Sequence, residues 1–147
     1  LFTIYKTILK SRSITYIGFD GYFYYYRDEG SIVVSGYKKK HLEALDAVDD
    51  IEESVKGKGR FDNALSTQYI NVIYDIAARN PLLSEFRNKR IQNNLKAHRM
   101  SVLKDSNAPK RLRGFAAISL LGNRIVLKVV VARNRRWKVQ RRETKKR

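Results

Sequence analysis

The order of apolar and polar side chains changes character near residue 41. Before it, apolar residues come in short β-branched and aromatic runs. Residues 1–10 alternate Phe2 and Ile4 against Thr3 and Tyr5, and residues 14–19, 22–27 and 31–35 are separated by Asp20-Gly21 and Asp28-Glu29-Gly30. Such runs between turn residues predict an antiparallel meander, with a short helix through Ile4 and Ile8 as the alternative for the first run.

From His41 the period becomes helical. Leu42, Leu45, Val48, Ile51 and Val55 recur on one side while Asp46, Asp49, Asp50 and Glu53 lie mostly on the other, ending at Lys56-Gly57-Lys58-Gly59. This predicts an amphipathic helix with an acidic back, a glycine C-cap, and a sub-boundary near residues 57–60. Phe61, Leu65, Tyr69, Val72, Ile73 and Ile76 trace the stripe of a second helix, capped by Asp62 or Asn63 and stopped by Asn80-Pro81. The same Asn80-Pro81 pair suits the start of a third helix, with Asn80 as N-cap and Pro81 at the first helical position. Leu82, Leu83, Phe86, Ile91, Leu95, His98 and Val102 form its apolar side, with Lys89, Lys96, Arg99 and Lys104 outward.

Residues 105–114, DSNAPKRLRG, combine turn chemistry with Lys110, Arg111 and Arg113, and read as a basic loop. Residues 115–121 and 124–133 then read as two strands joined by Gly122-Asn123, a two-residue hairpin signal. The second, RIVLKVVVAR, is apolar on both faces apart from Lys128, as in a strand inside a sheet. The expected fold is therefore α+β: an N-terminal meander plus helix, two central helices and a C-terminal β-hairpin. Residues 1–133 form one domain, followed by a basic extension over 134–147.

Charge changes the picture more than composition does. Residues 86–147 hold 20 Lys or Arg against two acids, Asp105 and Glu143, a net of +18, while residues 1–85 carry 11 basic and 12 acidic side chains. The formal charge of +17 therefore resides in one segment. Self-repulsion of that size favours a polyanionic partner. A spanning helix needs about 18 apolar residues in a row, and no run approaches that; the apolar strand pattern after the basic loop also looks like core. No membrane is expected. The chain has no cysteine, which removes disulfides, thiolate zinc sites and cysteine nucleophiles. His41 and His98 have plain readings, exposed near a helix start and half-buried in a helix. Asp46, Asp50 and Glu53 share a helical face that could hold Mg²⁺, but a solvated face or an intramolecular dock for the basic segment is the simpler reading. No metal or cofactor is expected.

The candidate contacts to a polyanion are Lys89, Lys96 and Arg99 on the third helix, Lys110, Arg111 and Arg113 in the loop, and Arg133 at the end of the hairpin. The extension adds Arg135, Arg136, Trp137, Lys138, Arg141, Arg142, Lys145, Lys146 and Arg147. Arginines make bidentate phosphate contacts, and an indole among them can stack on an unpaired base. Tyr22, Tyr24 and Tyr26 would share a strand face, though strand aromatics are mostly packing.

One enzyme-like pattern stands apart. Ile4-Tyr5, ten residues, then Tyr16-Ile17-Gly18 resembles the paired tripeptides of the GIY-YIG nucleases, with Thr3 where that family has its first glycine. The resemblance implies strand tyrosines at Tyr5 and Tyr16, a catalytic arginine at Arg27 and a metal-binding acid downstream. The main expectation is non-enzymatic: a nucleic-acid-binding protein, RNA favoured over DNA, serving with other proteins as a structural component of a large ribonucleoprotein such as a ribosome. It would work inside the cell, in cytoplasm or organelle matrix. The alternative is a viral or phage protein that binds and packages a DNA genome in the virion.

Overall fold

The computed structural model describes residues 4–15 and 37–144, with residues 4, 60 and 134–144 described by their backbone alone. Every regular element among the described residues is helical, so the fold is all-α and the α+β expectation is corrected. The helices are α1 (Ile4–Lys10), α2 (Glu43–Val55), α3 (Asp62–Ala78), α4 (Leu83–Phe86), α5 (Lys89–Lys104), α6 (Lys110–Ile118) and α7 (Asn123–Thr144). Single 3-10 turns precede α2 and α3, and a third, Ser119–Leu121, links α6 to α7.

α3 is the central element, packed against α2, α5, α6 and α7. Its predicted stripe is present at Tyr69, Val72, Ile73 and Ile76, but Ile70, Tyr74 and Ala77 are buried as well. A helix with neighbours on several sides needs apolar residues around most of its girth. Around it close Leu45 and Val48 of α2, Phe86 of α4, Ile91, Leu95 and Val102 of α5, Leu112, Phe115 and Ala116 of α6, and Val126 and Val130 of α7. The ring of Phe115 meets Tyr74 edge-on at 5.4 Å.

The boundaries follow local chemistry. Gly57 sits at φ 77 just past α2, the left-handed C-cap position expected of it. Asn80 adopts φ 56 and closes α3, its N–H donating to the carbonyl of Ala77, so it is a C-terminal cap and not the expected N-cap. Chain direction is reset by Pro81 and extended Leu82, whose N–H donates to Glu85 Oε2 at 2.7 Å. After one turn, α4 stops. Asn88 then starts α5, its side chain accepting from the N–H of Arg90 at 2.9 Å. The single helix expected across residues 80–104 is thus two.

The largest correction concerns the C-terminal hairpin. Asp105 accepts from the N–H of Asn107 in a side-chain turn, Pro109 follows, and the supposed basic loop Lys110 to Arg113 is the first turn of α6. Leu112, Phe115 and Ala116 are buried at helical spacing, a period that starts inside the basic stretch and so was hidden when that stretch was read as a loop. Gly122, at φ 105 and ψ 160, is the break between helices; the Gly122-Asn123 pair serves as a helix stop and restart in place of a strand turn. Val126 and Val130 pack four residues apart, so burial against α3 overrides the strand preference of β-branched residues. The strand expected over residues 1–10 is also corrected, and residues 4–10 take the helical alternative. The expected meander falls, apart from Ile14 and Thr15, outside the described residues.

Candidate nucleic-acid interface

The acidic back of α2 is where the basic segment first meets the body. Arg90, at the start of α5, donates through its two terminal nitrogens to Asp46 and Asp49. Asp49 also accepts from Tyr69 of α3 at 2.6 Å, and the same hydroxyl lies 2.7 Å from Glu52. Burial and these two carboxylates push the Tyr69 phenol far above its ordinary range. Its ring stacks on His98 of α5 at 4.2 Å and 7°, and His98 Nδ1 is 3.1 Å from the Ser66 hydroxyl. Burial holds the His98 imidazole below its usual pKa, partly offset by Glu52 and Asp49. This cluster ties α2, α3 and α5 together through polar contacts at the edge of the core.

Two further acids of α2, Asp50 and Glu53, are also engaged. Asp50 accepts from Tyr5 of α1 and pairs with Lys6 at 3.2 Å, and these partners draw its carboxyl below the usual range. Glu53 pairs with Lys56. Asp46, Asp50 and Glu53 therefore face three separate cations, and among the described residues no group of three or more His, Cys, Asp or Glu converges on a point that could hold a metal ion. His41 accepts through Nδ1 from the N–H of Lys38 at 2.8 Å, and burial and nearby Arg79 lower its pKa.

The expected contact residues fall on three helices. Lys89, Lys96 and Arg99 are on α5; Lys110, Arg111 and Arg113 are on α6; Arg133 is on α7. Arg111 is partly committed inward, donating to Asn71 at 2.9 Å and lying 5.4 Å over the ring of Tyr74. Lys89, Lys96, Lys110 and Arg133 are exposed. None of these four has a carboxylate within 4 Å among the described residues; of the cations in residues 86–133, only Arg90 does. The acids of α2 thus take one arginine of this segment and leave Lys89, Lys96, Lys110 and Arg133 exposed, while Arg99 and Arg113 are half-buried.

Arg135, Arg136, Trp137, Lys138, Arg141 and Arg142 lie on the continuing backbone of α7, while Lys145, Lys146 and Arg147 fall outside the described residues. α7 runs through residues 133 and 134 without a break. At 1.5 Å per residue its 22 residues extend about 33 Å. Two further exposed cations, Arg124 and Lys128, share this helix and were not among the expected contacts. Their spacing of four would have marked them had the segment been read at helical period.

Comparison with known proteins leaves these features to speak for themselves. No family model, curated protein or solved structure matches the chain. Of the nuclease-like pattern, Tyr5 lies on a helix and not a strand, bonded to Asp50. Tyr16, Ile17, Gly18 and Arg27 lie outside the described residues, as do Tyr22, Tyr24 and Tyr26.

Proposed function

We propose that this chain is a non-enzymatic nucleic-acid-binding protein, with structured RNA preferred to duplex DNA, acting as a structural component of a ribonucleoprotein. One observation carries the reading: the helical body neutralises Arg90 and leaves Lys89, Lys96, Lys110 and Arg133 on the surface of α5, α6 and α7 with no acidic partner among the described residues. Phosphates are the ligand that such a set attracts, through charge and counterion release. The preference for RNA rests on Trp137, the only tryptophan, among the arginines of α7, since an indole stacks on bases that a duplex keeps paired.

The test is binding of the full chain to matched structured RNA and duplex DNA over a salt series with Mg²⁺ present, products run on a denaturing gel. Tighter, salt-sensitive RNA binding with intact strands is expected. Equal or tighter duplex binding would move the assignment to a genome-associated protein, and cut strands would replace it with a nuclease. Salt-independent binding, or none, would end the proposal.

A further inference from the structure

α7 carries two apolar strips, and the bundle covers only one. Val126 and Val130 are buried, whereas Ile125 and Val129 are 43% and 41% exposed. One helical turn before them, in the 3-10 turn, Leu120 and Leu121 are 51% and 67% exposed. Ile125 and Val129 are one turn apart on α7, while Leu120 and Leu121 belong to the 3-10 turn on the other side of the Gly122 break. Beside them stand exposed Arg124, Lys128 and Arg133. Between Asp105 and Glu143 the sequence has 11 Lys or Arg and no acid.

We infer that the Ser119–Leu121 turn and the outer side of α7 form a seat for an anionic lipid surface: Leu120, Leu121, Ile125 and Val129 enter the acyl boundary while Arg124, Lys128 and Arg133 meet the headgroups. Charge selects this occupant. A second copy of the chain would bring an equally basic strip against the first, and like charges across an interface oppose association. Nucleic acid would satisfy the cations and leave four aliphatic side chains against phosphate and water, since they neither stack nor hydrogen-bond. An anionic bilayer offers negative charge over apolar depth in one plane, which is the combination displayed here.

The mode is surface attachment. No described helix is long and apolar enough to cross a membrane. An interfacial helix sinks roughly 5–10 Å, up to about a helix diameter, so one strip can submerge while Val126 and Val130 keep their packing on α3. The expectation of no membrane rests on the lack of a long apolar run, which bears on spanning, and on a strand core; with this run helical and one side uncovered, surface attachment is the mode inferred. The inference goes beyond the nucleic-acid proposal and does not depend on it.

The experiment is co-sedimentation of the full chain with phosphatidylcholine vesicles and with vesicles of phosphatidylcholine and phosphatidylglycerol in equal parts. Binding to the anionic vesicles only is expected. The uncharged replacement Leu121→Ser/Ile125→Ser/Val129→Ser should weaken it about tenfold or more. The pair Arg124→Ser/Lys128→Ser should weaken it about fivefold per charge. RNA affinity of the triple-serine variant should stay at the wild-type level, so the two proposals fail separately. Equal binding to neutral vesicles, or wild-type vesicle binding by the triple variant, would overturn the inference. So would self-association that the serines abolish, or loss of RNA binding with vesicle binding intact. Should the triple variant melt low, Leu121→Ser alone, at the most exposed of the four, serves as the decisive change.

Discussion

Replacing Tyr69 tests whether the polar cluster at the α2–α3–α5 junction or the apolar packing behind it holds these helices. Tyr69→Phe removes only the hydroxyl, and the ring stays buried and stacked on His98. A hydrogen bond to a charged group contributes about 1.5–3 kcal/mol. Two discounts apply: one O–H can donate fully to only one carboxylate at a time, and the Asp49 side chain is 49% exposed, so water replaces the phenol once it is gone. The expected cost is therefore about 1 kcal/mol. Tyr69→Ala also loses the buried ring, at about 3–5 kcal/mol. Urea unfolding followed by far-UV circular dichroism separates the two: with a slope of roughly 2 kcal/mol per molar, the Phe variant should shift the midpoint by about 0.5 M and the Ala variant by three times that or more. Equal shifts would mean that the hydroxyl network, not the ring, anchors the junction. No shift for Phe would mean that solvent already serves these carboxylates. Because Asp49 also accepts from Arg90, a cycle with Arg90→Met should show coupling between the two changes.

Three further outcomes are expected. The imidazoles of His98 and His41 are held below their ordinary pKa, chiefly by burial, so the unfolded chain takes up protons first as the solution is acidified; stability should be level above about pH 6.5 and fall below it, and His98→Gln should flatten part of that fall in a pH series of urea midpoints. Gly122→Ala meets nothing within 4 Å, yet φ 105 with ψ 160 is closed to L-residues, so a loss of about 1–3 kcal/mol should appear as a lower unfolding midpoint. Truncation after Arg133 keeps Val126 and Val130, and should leave the thermal melt nearly unchanged while lowering RNA affinity and flattening its salt dependence; a collapsed fold would show that residues 134–147 contribute to the core.

The sequence made the central bundle legible and obscured its edges. α2, α3 and the apolar side of α5 could be read because Leu45, Val48, Tyr69, Ile73, Ile91, Leu95 and Val102 are spaced by helical turns and are buried at those positions. Of the expected interface, the exposure of Lys89, Lys96 and Lys110 was legible from charge alone. What charge could not show was which cation the body takes: Arg90 differs from its neighbours only in facing Asp46 and Asp49 across a tertiary contact. The break at Asn88 was equally hidden, since an asparagine in a basic, amide-rich helix face looks like any other solvated residue until its side chain is seen capping α5.

The misread hairpin follows from one physical ambiguity. A run that is apolar on both faces fits a strand buried in a sheet and a helix buried on every side, and period alone does not separate them. Residues 124–133 are neither. Val126 and Val130 are buried in the bundle, Leu127 packs partly against it, and Ile125 and Val129 stay 43% and 41% exposed. Both readings that treat the run as wholly internal therefore err in the same way, by burying Ile125 and Val129 completely. The lipid seat inferred above rests on these exposed aliphatic residues together with Arg124, Lys128 and Arg133, in a stretch with no acid of the chain's own between residues 106 and 142. The feature that defeated the fold prediction is thus the one that specifies the surface, apolar and cationic together, and it could be recognised only after α3 had shown which valines it takes.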